Sequence, residues 1–148
     1  HIRSSYSLRK SPKRHFTDVS LAVAALGAND DRLLNDLNFT GFLFESMVTH
    51  DLRVYAQAND AGVYHYRDAS GLEIDSIIQK YNGDWCAFEI KLGTGQIEDA
   101  AMNLKKFVAQ LDPKKTKAPV SLNIITGTGI SYTRNDGINV ISIGSLGM

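Results

Sequence analysis

The stretch LEIDSIIQKYNGDWCAFEIKL, residues 72–92, decides the fold of this chain. Two runs rich in apolar residues flank the polar and glycine-containing segment 82–84, and this composition predicts two strands joined by a tight turn. Successive strand residues point to opposite faces, so Glu89 and Lys91 share one face while Ile90 points into the opposite layer. The stretch therefore predicts an antiparallel pair whose second strand places a carboxylate beside an ammonium group.

The residues before this stretch extend the pair into a meander. Residues 63–67 have the composition of a strand, and residues 68–71, Asp-Ala-Ser-Gly, favour a tight turn into the next strand. Farther upstream, apolar residues recur at spacings of three and four between residues 41 and 58, which is typical of an amphipathic helix. Glu45 then lies next to the buried stripe of that helix.

The residues after this stretch predict a helical crossover. Apolar positions from residue 97 to residue 111 follow helical spacing, and Asp112-Pro113 ends the helix. Residues 120–125 and 138–143 are the next predicted strands. The order αβββαβ, followed by one more strand, predicts an α/β domain with a mixed central β-sheet flanked by helices. We expect one domain over residues 1–148, with a leading basic segment and a short helix within residues 1–40.

Composition limits the classes of protein to which the chain can belong. Its 148 residues suffice for one core, and 43% hydrophobic with 22% charged residues is ordinary for a globular protein. No apolar stretch approaches the roughly 20 residues that cross a bilayer, which argues against a membrane protein. The single Cys86 excludes a disulfide framework and favours a cytoplasmic location. Because the chain begins with His1, we expect it to be a fragment of a longer protein.

Charge is balanced overall but uneven along the chain. The formal net charge is zero, which argues against a uniformly basic nucleic-acid binder. The first fourteen residues nevertheless carry five basic and no acidic side chains, and Lys114, Lys115 and Lys117 form a second basic cluster. Either cluster can contact phosphate, and either can also be a solvated loop.

Asp75 is the acidic residue that most needs an explanation. It lies in an otherwise apolar strand, where a charge costs free energy unless a partner or a metal compensates for it. Asp75 and Glu89 suffice as ligands for Mg²⁺ or Mn²⁺, with the carbonyl of Ile90 as a third candidate ligand. Glu73 is an alternative ligand on the same strand face, or a partner for an ion pair across the hairpin.

Two further residues complete a set suited to phosphodiester hydrolysis, which needs an activated water and neutralised phosphoryl oxygens. Glu45 can bind a second ion or orient a water. Lys91 can position or deprotonate the attacking water, or stabilise the developing negative charge. The predicted catalytic residues are therefore Glu45, Asp75, Glu89 and Lys91.

This arrangement resembles the PD-(D/E)XK nuclease superfamily, and the resemblance implies a restriction-endonuclease-like core. More closely, the chain resembles the uncharacterised C-terminal domain of predicted AAA-type ATPases of bacteria and archaea, through the segments SPKRHFTD (11–18), GFLFE (41–45), YHYR (64–67), GLEID (71–75) and FEIK (88–91). The resemblance implies an attached ATPase domain. The chain has no Gly-x-x-x-x-Gly-Lys phosphate-binding motif, so we expect any ATP to bind only to that attached domain.

Two functions remain open from the sequence. The first is a Mg²⁺- or Mn²⁺-dependent nuclease module that hydrolyses DNA. The second is a non-catalytic module with the same core, which binds nucleic acid or a protein partner for the attached ATPase. The sequence does not determine the oligomeric state or the preferred nucleic acid.

Overall fold

The computed structural model describes residues 30–145. The leading helix and the first basic cluster that the sequence predicts lie outside these residues. The helices are α1 (Asp30–Asn35), α2 (Leu37–Ala58) and α3 (Ile97–Ala109), with short 3₁₀ turns at Thr94–Gln96 and Ile143–Ser145. The strands are β1 (Ala61–Arg67), β2 (Glu73–Lys80), β3 (Trp85–Lys91), β4 (Ser121–Thr126), β5 (Tyr132–Thr133) and β6 (Asn139–Ser142).

The strands form one six-stranded mixed sheet in the order β1-β2-β3-β4-β6-β5. Strands β1, β2 and β3 are an antiparallel meander, as the turn signals predict. Strand β4 runs parallel to β3, with Cys86 opposite Ser121, because α3 carries the chain back across the sheet. Strand β6 is parallel to β4 and antiparallel to β5. The prediction of a mixed α/β sheet flanked by helices is confirmed.

Helix α2 covers one face of the sheet. It begins four residues before the predicted start, because the Asp36 carboxylate accepts a hydrogen bond from the Phe39 amide at 3.0 Å and caps the helix. Its apolar side chains Phe44, Val48 and Leu52 pack against Ile90 and Ile125 of the central strands. This packing fixes the position of α2, and with it Glu45, over the sheet.

Helix α3 packs against the other face. Its residue Phe107 is fully buried, with ring centroids 4.7 Å from Tyr66 and 5.8 Å from Trp85. Ile124 belongs to this cluster whereas its neighbour Ile125 packs under α2, as expected for alternating strand residues. Burying a side chain such as Phe107 contributes about 1.5–3 kcal/mol to the free energy of unfolding.

Strand β5 is absent from the predicted elements. Its two residues, Tyr132 and Thr133, are exposed and pair with Val140 and Asn139 at the edge of the sheet. A pair this short has no alternation of apolar and polar residues to reveal it. The predicted final strand is otherwise confirmed at Asn139–Ser142.

Candidate functional site

A β-bulge in β2 lies at the start of the site. His65 of β1 lies opposite two residues of β2, Asp75 and Ser76. A bulge bends its strand and changes the direction of the bulged side chains, and such bulges are common beside functional sites. The sequence contains a signal for it, since Asp75 and Ser76 are two consecutive polar residues between Ile74 and Ile77.

The ladder between β2 and β3 ends next to the bulge. The last paired residues are Ser76 and Phe88. Beyond them, the amide of Ile90 donates a hydrogen bond of 2.8 Å to Asp75 Oδ2. The Asp75 carboxylate therefore takes the place of a strand carbonyl, and the two strands separate around it. Because the N–H and C=O groups of one strand residue point toward the same neighbour, the Ile90 carbonyl faces this gap.

Three of the four predicted catalytic side chains meet in the gap. Lys91 Nζ lies 3.2 Å from Glu89 Oε2 and 3.8 Å from Asp75 Oδ2. Asp75 is 7% exposed and Glu89 only 1% exposed, so both carboxyl groups are withdrawn from water. Glu45 reaches the same region from α2, close enough for its charge to raise the pKa of Lys91. We call Glu45, Asp75, Glu89 and Lys91 the carboxylate site.

Burial changes the protonation of this site. Burial, and next the neighbouring Asp75 carboxylate, together raise the pKa of Glu89 from an ordinary 4.5 to about 9, although Lys91 partly opposes the shift. Glu89 therefore holds a proton at neutral pH. Burial alone would lower the pKa of Lys91, but the charges of Glu89, Asp75 and Glu45 outweigh that effect and raise it.

One oxygen of the site has no donor. Glu89 Oε1 is buried and accepts no hydrogen bond from the part of the chain that the structure describes. A buried oxygen without a partner costs about 1–3 kcal/mol, so such atoms are rare in native proteins. An ion or a donor from a ligand would compensate for that cost.

The residues of the site suit a divalent cation that binds only one or two protein carboxylates. Within residues 30–145 no three His, Cys, Asp or Glu side chains are grouped as a metal site would require. Mg²⁺, however, typically keeps several waters and takes only one or two protein carboxylates. Two adjoining carboxyl groups, one with an unpartnered oxygen, satisfy that smaller requirement.

A second polar pair adjoins the bulge. His65 Nε2 lies 2.7 Å from Glu73 Oε1, and both side chains are partly exposed. Glu73, the alternative metal ligand of the sequence analysis, thus contacts a histidine to which that analysis gave no role. The contact follows from the local pairing of β1 with β2, which residue types alone do not reveal.

The second basic cluster is partly neutralised. Lys117 Nζ lies 3.0 Å from Asp84 Oδ1, and Lys115 Nζ lies 4.0 Å from Asp112 Oδ2. Both pairs are largely exposed, so neither contributes much to stability.

Within residues 30–145, no helix has the length and apolar character that crossing a membrane requires.

Comparisons with known proteins identify a family. No curated protein matches the chain. Among solved structures, the refined half-complex from the tetradecameric assembly of Thermococcus gammatolerans McrB AAA+ hexamers with bound McrC is similar, with 11% identity and a TM-score of 0.45. The similarity covers 69% of this chain and 27% of that chain, well under two thirds of its length. Residues 40–146 match the family described as a domain of unknown function, DUF4143, and the chain therefore belongs to the DUF4143 family.

Proposed function

We propose that this chain is a nuclease module with a restriction-endonuclease-like core, which hydrolyses phosphodiester bonds in DNA with Mg²⁺ or Mn²⁺. The observation that carries the proposal is the convergence of Asp75, Glu89 and Lys91 where β2 and β3 separate. Two buried carboxyl groups and a cation are an expensive arrangement for stability alone. They are useful where an anionic substrate and a cation must be held together.

Asp75 and Glu89, with the Ile90 carbonyl, are the groups that would hold the ion. When bound there, a divalent cation supplies positive charge for the phosphoryl oxygens and lowers the pKa of water. The proton on Glu89 must leave before both carboxyl groups bind a cation. Binding therefore releases a proton and becomes tighter as pH rises toward the raised pKa of Glu89.

Lys91 stays protonated in this proposal. Its pKa is raised because the charges of the neighbouring carboxylates outweigh the effect of burial. A protonated ammonium group cannot act as a general base, but it can stabilise negative charge as that charge develops on the phosphoryl oxygens. Of the roles that the sequence leaves open for Lys91, the electrostatic one is thus supported. Glu45, on the adjacent helix, orients a water or binds a second ion.

We further propose that the module, spanning residues 1–148, acts while attached to an AAA-type ATPase inside the cell. The support is the resemblance of the five motif segments to the C-terminal domain of such ATPases. In this arrangement ATP binds to the attached domain and not to this chain. The ATPase positions DNA, and the carboxylate site cuts it.

A second candidate function has an observation in its favour. Lys91 forms ion pairs with both Asp75 and Glu89, and Glu89 is almost fully buried. The same three residues can therefore serve as a structural ion cluster in a module that binds nucleic acid or a protein partner without cutting. The buried Glu89 oxygen without a hydrogen-bond partner supports the nuclease over this alternative, since a bound ion would compensate for the cost of burying it.

The test is cleavage of linear, single-stranded and branched DNA by the purified chain with Mg²⁺ or Mn²⁺. We expect metal-dependent cleavage that Asp75→Asn and Lys91→Ala each abolish. The matched controls are Asp99→Asn and Lys106→Ala, which change exposed residues of α3. Circular dichroism establishes that every variant is folded. Cleavage that survives Asp75→Asn contradicts the proposed site, and absence of cleavage with either ion favours the non-catalytic module over a nuclease that acts without its ATPase.

A further inference from the structure

A cavity of about 450 Å³ lies at the other end of the β1–β2 hairpin from the carboxylate site. It is formed by the C-terminal end of α2, the start of β1, the end of β2 and the turn that follows. Its volume lies within the ~300–1,000 Å³ typical of small-molecule sites. The polar and aromatic side chains that line it are Gln57, Asp60, Tyr64, Gln79, Lys80 and Tyr81.

Two tyrosines give the cavity aromatic surfaces that face water. Tyr64 is 43% exposed and Tyr81 is 99% exposed. The phenol of Tyr64 lies over Gly62, where an added Cβ would come within 2.8 Å of its hydroxyl oxygen and 3.0 Å of its ring. Glycine at that position therefore lets the ring lie against the strand. Tyr66, two residues farther along β1, is fully buried against α3 and cannot contribute.

The polar groups of the cavity match the edge of a nucleobase. The amides of Gln57 and Gln79 each offer donors and an acceptor, and the Asp60 carboxylate accepts from an exocyclic amino group. Lys80 supplies a cation for a phosphate. Aromatic faces for stacking, amides for the base edge and a lysine for the backbone are together the groups that bind an unpaired nucleotide.

Resting on the proposed action on DNA, we infer that this cavity holds an unpaired base of a single strand whose continuation reaches the carboxylate site. Lys80 lies five residues beyond Asp75 in β2, about 16 Å along an extended strand. A short stretch of single-stranded DNA spans this separation. A paired base cannot enter the cavity without leaving its stack, so the cavity selects single-stranded over duplex DNA.

The test measures binding without cleavage. The full chain in EDTA is titrated into fluorescein-labelled single-stranded oligodeoxynucleotides of about 12 residues, and into the matching duplex, with fluorescence anisotropy as the readout. We expect the single strand to bind about tenfold more tightly than the duplex. The affinity should fall as salt rises, because a phosphate contact releases counterions.

Four variants assign the binding to the cavity. Tyr64→Ala and Tyr81→Ala should each weaken single-strand binding about tenfold, whereas Tyr64→Phe should retain it, since stacking needs only the ring. Gly62→Ala keeps both tyrosines but displaces the phenol, and it should weaken binding as Tyr64→Ala does. The control is Tyr132→Ala, which removes a tyrosine of the same 43% exposure from the edge strand β5.

The outcomes separate this inference from the proposed nuclease function. Tyr81 is almost fully exposed, so Tyr81→Ala cannot fail merely through misfolding. Equal binding of single strand and duplex, or equal losses in Tyr64→Ala, Tyr81→Ala and Tyr132→Ala, overturns the inference. Binding that depends on Tyr64 and Tyr81, in a chain that never cleaves DNA, supports the cavity and rejects the nuclease.

Discussion

Two groups of charged side chains in this fold differ in how completely they are paired. The first is the carboxylate site between β2 and β3. The second, which we call the Arg134 network, joins α3 to the β5–β6 hairpin. In it Arg134 binds Glu98 at 2.6 and 3.2 Å and Asp136 at 3.2 Å, while Lys105 Nζ lies 2.7 Å from Asp136. Glu98 is 80% exposed, whereas Arg134 and Asp136 are 15% and 21% exposed, so water reaches the network mainly at Glu98.

The two groups have opposite effects on the carboxyl groups within them. In the Arg134 network, Lys105 and Arg134 lower the pKa of Asp136. In the carboxylate site, burial raises the pKa of Glu89 and leaves one of its oxygens without a donor. The carboxyl groups of the Arg134 network face cations, whereas the carboxylate site contains a buried oxygen without a hydrogen-bond partner among the described residues. A buried and incompletely paired carboxyl group, rather than charge density, therefore marks the candidate site.

The largest expected difference between the two groups is in activity. Asp75→Asn should reduce metal-dependent cleavage at least about hundredfold, because even residues behind a metal ligand typically cost about 10–100-fold in metal affinity or activity. Asp136→Asn should leave the cleavage rate within about twofold of the original, as expected for a surface ion pair. The measurement is the initial rate on one DNA substrate. Similar losses in both variants would erase the distinction between the two groups.

The next largest effect is on stability and its dependence on pH. Folded Glu89 holds a proton that the unfolded chain releases, so the free energy of unfolding falls as pH rises between about 4.5 and about 9. Glu89→Gln removes this loss and should raise the free energy of unfolding at pH 8 by an amount on the order of 2 kcal/mol. Urea denaturation at pH 5 and pH 8 measures it. If Glu89→Gln keeps the original dependence of the free energy of unfolding on pH, the raised pKa belongs to another group.

The Arg134 network should give the opposite pH dependence. The lowered pKa of Asp136 contributes stability that is present above its ordinary value of 3.8 and is lost as pH falls below it. Asp136→Asn should therefore flatten the acid side of the stability profile. Glu89→Gln should flatten the alkaline side. One series of denaturation curves compares the two variants. The sign of the slope of unfolding free energy against pH then distinguishes the two groups.

Added metal should stabilise the folded chain through the carboxylate site and not through the Arg134 network. At ten times its dissociation constant a bound ion adds about 1.4 kcal/mol to the free energy of unfolding. We expect Mg²⁺ or Mn²⁺ to raise Tm at pH 8 more than at pH 5, since the proton on Glu89 must leave first. The Tm of Glu89→Gln should not respond. A rise in Tm that is equal at both pH values, or that persists in Glu89→Gln, would place the ion elsewhere.

The smallest effect is expected from breaking the exposed network. Arg134→Gln should lower the free energy of unfolding by less than about 1 kcal/mol, because water screens its partners Glu98 and Asp136. The difference from the original protein should shrink further in 1 M NaCl, where the screening length is about 3 Å. A decrease in the free energy of unfolding as large as that expected on breaking a buried ion pair would show that the Arg134 network also supports the fold.

Much of the fold was predictable because its main elements are long and strongly patterned. Apolar runs bounded by turn residues predict β2 and β3, and helical spacing predicts α2 and α3. The start of α2 was misplaced because the cap residue, Asp36, precedes the apolar stripe that reveals the helix. Strand β5 was missed because two exposed residues carry no pattern.

The candidate site was predictable as a set of residues but not as an arrangement. Turn signals place Asp75 and Glu89 on neighbouring strands, and the structure brings them together with Lys91. The bulge at Asp75 and Ser76, and the end of the β2–β3 ladder, depend on the pairing of three strands at once. The protonation of Glu89 depends on its burial in the folded chain and on the Asp75 carboxylate beside it, and local composition does not reveal it.

The sheet register also has a consequence for the order of folding. Strands β1, β2 and β3 pair through short turns, whereas Cys86 meets Ser121 only after α3 has crossed the sheet. Closing the longer loop costs more chain entropy, so we expect the meander to form first in refolding. Pulse-labelled hydrogen exchange should then protect amides of β2 before those of β4. The carboxylates would thus be assembled in the earliest intermediate, with their burial completed only when the parallel strand docks.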